Sequence, residues 1–321
     1  MLEQTETIKL IVETCMRVKP DEDVVVIADD YARPQTIAQA IAAAVRDRGA
    51  KVVYMVVPPR QIAGEEPRKT TAAAMRAADA IFGAGERISP ISGHSTVHEE
   101  LMKKSVRQHA TLGISEDHLR KPFSLKDITE MKERSERICA LYDQADSVRL
   151  SSPHGTDLTF SIKDRHGTPL HPIKGILVPD YSESPVPPVE GTANGTVVYD
   201  GEMDGWGYPL SRPLVLKVSN GKVVDISGNP EDVERLKRIV STDADAGNIG
   251  EFAIGTSHTV ANRMTGTRYD CAILGTVHIG LGRNTLLGGK SMSKIHIDGI
   301  MTSPTVELDG KTVVKDGKVL V

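Results

Sequence analysis

Apolar positions in the first half of the chain fall into short blocks separated by helix-period patterns. DVVVIAD (23–29) is a continuous apolar run, as expected for a strand buried on both faces. Pro34 to Arg48 then places Ile37, Ala40, Ile41, Ala44 and Val45 on one side of a helix. KVVYMVV (51–57) predicts a second strand, Thr70–Ala78 a second helix, and ADAIFGAG (78–85) a strand running into a glycine turn. A further helix is predicted over Val97–Gln108. This alternation implies a parallel sheet covered by helices. The clearest helix spans 124–145, where Ser124 and Asp127 fit a capping box and Ile128, Met131, Ile138 and Tyr142 share a face.

Beyond residue 146 the texture changes. SVRLSSPHGTDLTFSIKD alternates apolar and polar residues, as a half-buried antiparallel pair does. LKVSNGKVVDI carries Asn220-Gly221 between two strands, a strong hairpin signal. VELDGKTVVKDGKVLV repeats the idea with Asp309-Gly310 and Asp316-Gly317, and one helix over about Pro230–Val240 interrupts the strands. The fold expected is α/β in two domains. Residues 1–146 form a Rossmann-like, helix-covered parallel sheet, and residues 147–321 form a mixed α/β domain with antiparallel hairpins.

Composition narrows the function. The chain has 321 residues, enough for two domains, and 39% of them are hydrophobic, enough for ordinary cores. Aromatics are 4% with a single Trp, and the net charge is -4, so neither base stacking nor a basic stripe for nucleic acid is expected. The first residues, MLEQTETIKLIVETCMRV, read as an amphipathic helix rather than a signal peptide. No apolar run approaches the roughly 20 residues that span a bilayer, so no membrane association is expected. Cys15, Cys139 and Cys271 are far apart and odd in number, which suggests neither a disulfide framework nor a cysteine zinc site. A reducing cytoplasm is the simplest compartment.

The candidate chemistry lies in the second half. In SKIHIDGIM (293–301), His296 and Asp298 are two apart on a strand and project from the same face. An imidazole beside a carboxylate is half of a metal site, although an isolated His-x-Asp is more often a solvated hydrogen bond. CAILGTVHIGLG (271–282) delivers His278 at a glycine-rich strand end. AGNIGEFAIGTS (246–257) buries a lone carboxylate, Glu251, which costs several kcal/mol unless paired or metal-bound. SPVPPVEGTANGTVVYDG offers Glu190 after a rigid proline-rich approach; its plain alternative is an exposed loop acid.

With HGTDLTFSI (154–162) and PPVEGTANGTVVYDG (187–201), the order Glu190, Glu251, His278, His296-x-Asp298 resembles the M29 metalloaminopeptidases of the aminopeptidase T and S type. That resemblance implies two divalent ions, zinc, cobalt or manganese, sharing Glu251 and Asp298. His278 and Glu190 would complete one shell and His296 the other, with Glu190 and Glu251 as catalytic residues of a metal-dependent amide hydrolase acting on a short peptide. It also implies a homodimer. One departure is Thr285, where the aminopeptidases tend to carry a tyrosine seven residues after the first histidine. The same motifs resemble the 2,5-dihydroxypyridine 5,6-dioxygenases, which implies one Fe(II) on a His278, His296 and Asp298 triad and a small hydroxylated ring as substrate. Glu251 and His278 are read as absent from that branch, so their presence here favours the hydrolase. A non-catalytic protein stabilised by its metal is the third reading.

Other residues are weaker candidates. His94 and His98 have helical spacing without a glutamate between them, and a helix start on the surface is expected there. GAGERISPISG (83–93) lacks G-x-G-x-x-G, so no nucleotide site is expected. His154 either faces a pocket or caps a strand, and Trp206 and Tyr208 are expected to pack a loop.

Overall fold

The structure, a computed structural model, describes residues 5–60, 65–91, 95–112, 119–120, 124–174, 180–260 and 264–321. They divide into two units, Met1–Lys132 with His171–Tyr181, and Glu133–Leu170 with Ser182–Val321.

In the first unit, β1 (Asp23–Asp29), β2 (Lys51–Val57), β3 (Ala80–Gly85) and β4 (Arg107–Leu112) form a parallel sheet in the order β2-β1-β3-β4. The continuous apolar run of β1 is explained by its inner position, buried from Val24 onward. The helices are α1 (Glu6–Lys9), continued by a π-helical turn, α2 (Ala32–Asp47), α3 (Lys69–Ala77) and α4 (Thr96–Lys103). Ile27, Met75, Ile81 and Leu101 belong to the core between sheet and helices.

The helix expected to run to Gln108 stops at Lys103, and Arg107 begins β4 instead. Ser105 turns the chain with φ 59°. Gln108, the last residue of the expected helix, and His109 are both buried in the strand. The Gln108 amide oxygen lies 2.8 Å from His98 Nδ1, and the His109 ring packs against Phe82.

The helix α5 (Leu125–Tyr142) carries the expected capping box: Asp127 N–H donates to Ser124 Oγ, and Ser124 N–H donates to Asp127 Oδ2. The division between units falls inside this helix, after Lys132, and not at 146. The reason is local. Ser135 Oγ donates to the Glu183 carbonyl and Tyr142 Oη to the Ser184 carbonyl, so the second half of α5 is tied into the second unit.

The strands of that unit are β5 (Ser147–Ser151), β6 (Asp157–Ser161), β7 (Glu183–Val186), β8 (Asn194–Tyr199), β9 (Leu214–Ser219), β10 (Lys222–Ser227), β11 (Ile249–Gly255), β12 (Val277–Gly282), β13 (His296–Met301), β14 (Thr305–Leu308), β15 (Lys311–Lys315) and β16 (Lys318–Val319). Helix α6 (Pro230–Val240) is capped by the Asn229 side chain. Eight strands make one antiparallel sheet, β10-β9-β8-β6-β5-β14-β15-β16, and four make a second, β13-β12-β11-β7. The three expected hairpin turns are present, with positive φ at Asn220-Gly221, Asp309-Gly310 and Asp316-Gly317. Among the described residues no helix is long and apolar enough to cross a membrane.

Candidate metal centre

The four-stranded sheet is buried along every strand. Its register aligns Glu251 of β11, Gly280 of β12 and Asp298 of β13 in one row. His278 lies two residues before Gly280, His296 two before Asp298, and Glu183 of β7 pairs with Gly255. Side chains two apart share a face, so Glu183, Glu251, His278, His296 and Asp298 project from the same side. Gly280 leaves a hollow in the middle of them. A Cβ there would lie 2.6 Å from Asp298 Oδ1, 2.8 Å from Glu251 Cβ and 3.1 Å from His296 Cε1.

Glu251 sits between the two imidazoles. His278 Nε2 is 3.3 Å from Glu251 Oε1, and His296 Nε2 is 3.2 Å from Glu251 Oε2. His296 Nε2 is also 3.0 Å from Asp298 Oδ1, and His278 Nε2 is 3.5 Å from Glu183 Oε2. His296 Nδ1 lies 2.7 Å from the Arg283 carbonyl, which only an N–H can satisfy. In the neutral ring this fixes the tautomer and leaves the Nε2 lone pair facing the carboxylates, the arrangement of a metal-ligating histidine.

Charge points the same way. Burial and the neighbouring Asp298 push the Glu251 carboxyl up, but its hydrogen bonds with His278 and His296 outweigh them and bring it down to about 2. Burial likewise opposes ionisation of Asp298, yet His296 and Arg268 hold it well below the usual carboxylate range. Burial disfavours the charged form of both imidazoles; Glu251 raises His278, and Asp298 raises His296 well above its ordinary value. The ionised acids therefore demand positive charge, which imidazole protons or a divalent ion can supply.

Three sets of donor atoms lie within 4.8 Å of one another among the described residues: Glu251–His296–Asp298, Glu183–Glu251–His278 and Cys271–His278–Asp298. Burial keeps the Cys271 thiol protonated, so the carboxylate sets are the better ligands. The residues fit a divalent metal. The triad His278–His296–Asp298, expected from the oxygenase resemblance, is not one of these sets.

Glu190 is not brought into the cluster. Its carboxylate pairs with Arg165 and accepts from Asn284 Nδ2 at 2.9 Å and the Lys290 N–H at 2.7 Å, bracing the segment ahead of β13. Glu183 stands beside His278 instead. It was missed because SESPV, with its proline, reads as loop; β7 is an edge strand, where Pro185 is tolerated. Glu190→Gln is expected to leave the metal content unchanged while lowering stability by about 1–3 kcal/mol. Metal equivalents and a urea midpoint check both parts, and lost metal with unchanged stability would return Glu190 to the ligand set.

Arg268 was also missed. Its Nη1 donates to Asp298 Oδ2 and, at 3.0 Å, to Asp204 Oδ2, and its Nη2 is 3.7 Å from Glu183 Oε1. Nearby, burial, Asp270 and Asp204 push the Glu202 carboxyl up to about 11, so it is a neutral acid at pH 7.

The weaker candidates resolve simply. His98 is buried, beside Gln108, where a surface position was expected, and His94 lies outside the described residues. His154 pairs with Asp200. Trp206 packs beside Tyr208 under the Arg235 guanidinium, as a loop-packing role requires.

Comparison with known proteins adds the following. The family described as NicX: 2,5-dihydroxypyridine 5,6-dioxygenase matches residues 5–321. Among solved structures, the 2,5-dihydroxypyridine dioxygenase from Pseudomonas putida KT2440 superposes with a TM-score of 0.78 and 21% identity, over 99% of this chain and 97% of that one. Wild-type AmpT from Thermus thermophilus superposes with a TM-score of 0.69 and 14% identity, over 98% of both chains. No curated protein matches the sequence. At these identities the structural likeness establishes the mixed α/β fold, over the whole chain and not only the C-terminal motifs.

Proposed function

This chain belongs to the NicX family, described as 2,5-dihydroxypyridine 5,6-dioxygenase, and from that premise we propose that it is a metal-dependent dioxygenase that opens a dihydroxypyridine-like ring. The observation that carries the reading is the family match itself, which spans residues 5–321 and so includes every clustered ligand. The geometry supports it, because Glu251, His296 and Asp298 form one compact donor set on a buried sheet face.

Glu251, His296 and Asp298 would hold the metal, which as Fe(II) would supply the redox chemistry that activates dioxygen. The chain supplies the rest. The Arg283 carbonyl orients His296, Arg268 holds the outer oxygen of Asp298, and burial of the ligands keeps bulk water away. The overall reaction breaks one ring bond and places both atoms of one dioxygen in the product, so it needs no external reductant.

A two-metal hydrolase is favoured by one observation: Glu183, Glu251 and His278 form a second donor set that shares Glu251. Glu251 and His278 in the sequence favour this reading, and the family match weighs toward the oxygenase. Thr285 also weighs against hydrolysis, because its hydroxyl accepts from Arg283 Nε at 3.0 Å where the aminopeptidases have a phenol.

Turnover with and without oxygen separates the two. The expected result is uptake of one dioxygen per 2,5-dihydroxypyridine, only with Fe(II). Release of an amino acid from a dipeptide under argon, with zinc, cobalt or manganese, would overturn it. We also propose that the protein is a cytoplasmic homodimer, the compartment consistent with cysteines that form no disulfide among the described residues; a single-chain mass by sedimentation refutes the dimer.

A further inference from the structure

We infer that Arg268 limits the centre to a single divalent ion. The inference deepens the one-ion reading above and rests on it, but it makes its own claim about this side chain.

Two overlapping donor sets would otherwise invite two ions, one at Glu251–His296–Asp298 and one at Glu183–Glu251–His278. Two dications a few ångström apart repel about four times as strongly as two unit charges. Bridging carboxylates offset that repulsion in two-metal sites. Here Arg268 removes most of the bridging capacity. The two oxygens of Asp298 face different partners: Oδ1 faces His296 Nε2 at 3.0 Å, and Oδ2 accepts from Arg268 Nη1. Glu183 is divided more loosely: Oε2 faces His278, and Oε1 lies 3.7 Å from Arg268 Nη2, an ion-pair distance rather than a hydrogen bond. Only Glu251 turns both oxygens toward the imidazoles.

Asp298 thereby keeps one inward-facing oxygen, and the outer oxygen of Glu183 is drawn toward the same guanidinium by charge. The guanidinium also adds a fixed positive charge that does not titrate away. It is well shielded from solvent, with 13% of its side chain exposed, so its charge is felt at both donor sets. Arg268 thus takes up the second oxygen of Asp298 by a hydrogen bond and balances Glu183 by charge, the two contributions a second ion would otherwise make. It is a positioning residue; the ligands remain the acids and histidines.

The test is the metal count. Protein is saturated with Mn(II), desalted and measured by elemental analysis, with the electron paramagnetic resonance spectrum read for coupling between paired ions. Wild type is expected to hold one equivalent without coupling. Arg268→Met is expected to hold two, with coupling, and Arg268→Lys, which keeps the charge, to return to one. Should Arg268→Met not fold, the double variant Arg268→Met, Asp204→Asn reads the same count, because it also removes the acid that would lose its partner.

A folded charge-removing variant that still holds one ion overturns the inference and leaves the one-ion reading standing. Two ions in wild type overturn both. One ion in wild type and two in Arg268→Met, with no oxygen-dependent ring opening, sink the proposed reaction and keep the role of Arg268.

Discussion

Glu251→Gln is expected to strip the centre of its metal and to lower turnover by orders of magnitude. The carboxylate has one oxygen 3.3 Å from His278 Nε2 and the other 3.2 Å from His296 Nε2, in a buried site. Its acidity, near 2, means that the ionised form is present throughout the physiological range. Glutamine keeps the size but places an amide N–H₂ against one imidazole or the ion. Breaking a buried charge pair costs about 3–5 kcal/mol. At about 1.4 kcal/mol per decade, that is about two to three and a half orders of magnitude in affinity. The oxygenase and the hydrolase give the same result here, because Glu251 belongs to both carboxylate donor sets. A triad of His278, His296 and Asp298 that bypasses Glu251 predicts one ion retained. Metal equivalents after dialysis, with circular dichroism to establish folding, decide the matter. Full metal content and full activity would remove Glu251 from the site.

Much of the centre was legible in the sequence because strand periodicity is local. His296 and Asp298 share a face by spacing alone, and a lone glutamate within GEFAIG has little reason to be there except a partner. The hairpins were legible for the same reason. Asn-Gly and Asp-Gly accept the positive φ that tight turns need, whatever the rest of the chain does.

The misses are non-local. The expected helix overran into the first two residues of β4, because the packing that buries Gln108 beside His98 and His109 beside Phe82 comes from other parts of the unit. Glu183 was overlooked because the four residues of β7 become a strand only by pairing with β11. The unit division inside α5 follows from hydrogen bonds of Ser135 and Tyr142 to β7, about forty residues away. Arg268 sits in a short 3-10 turn, and nothing within TRYDC signals that its guanidinium reaches the acids of three other segments.

Gly280→Ala is expected to disable the centre with a single methyl group. The added Cβ would lie 2.6 Å from Asp298 Oδ1, 2.8 Å from Glu251 Cβ and 3.1 Å from His296 Cε1, all closer than ordinary contact. The neighbours cannot easily give way. Asp298 is held from behind by Arg268, His296 by the Arg283 carbonyl, and the Cβ of Glu251 moves only with its strand. Gly280 has no left-handed φ, so the backbone accepts alanine and the crowding falls on the ligands. Overpacking of this kind costs about 1–3 kcal/mol. Concentrated on the ligands, it becomes a fall of about 5- to 150-fold in metal affinity at about 1.4 kcal/mol per decade, with a loss of turnover at least as large. Gly299→Ala is the control. Its Cβ would strike the Tyr199 ring at 2.5 Å, and Gly299 pairs with Ile279 on the other face of the sheet. That variant should lose stability while keeping its metal. Titration calorimetry with Mn(II) on both variants, beside their urea midpoints, separates damage to the ligands from damage to the fold. Equal metal affinity in the two would mean that the hollow above Gly280 is not where the ion is held.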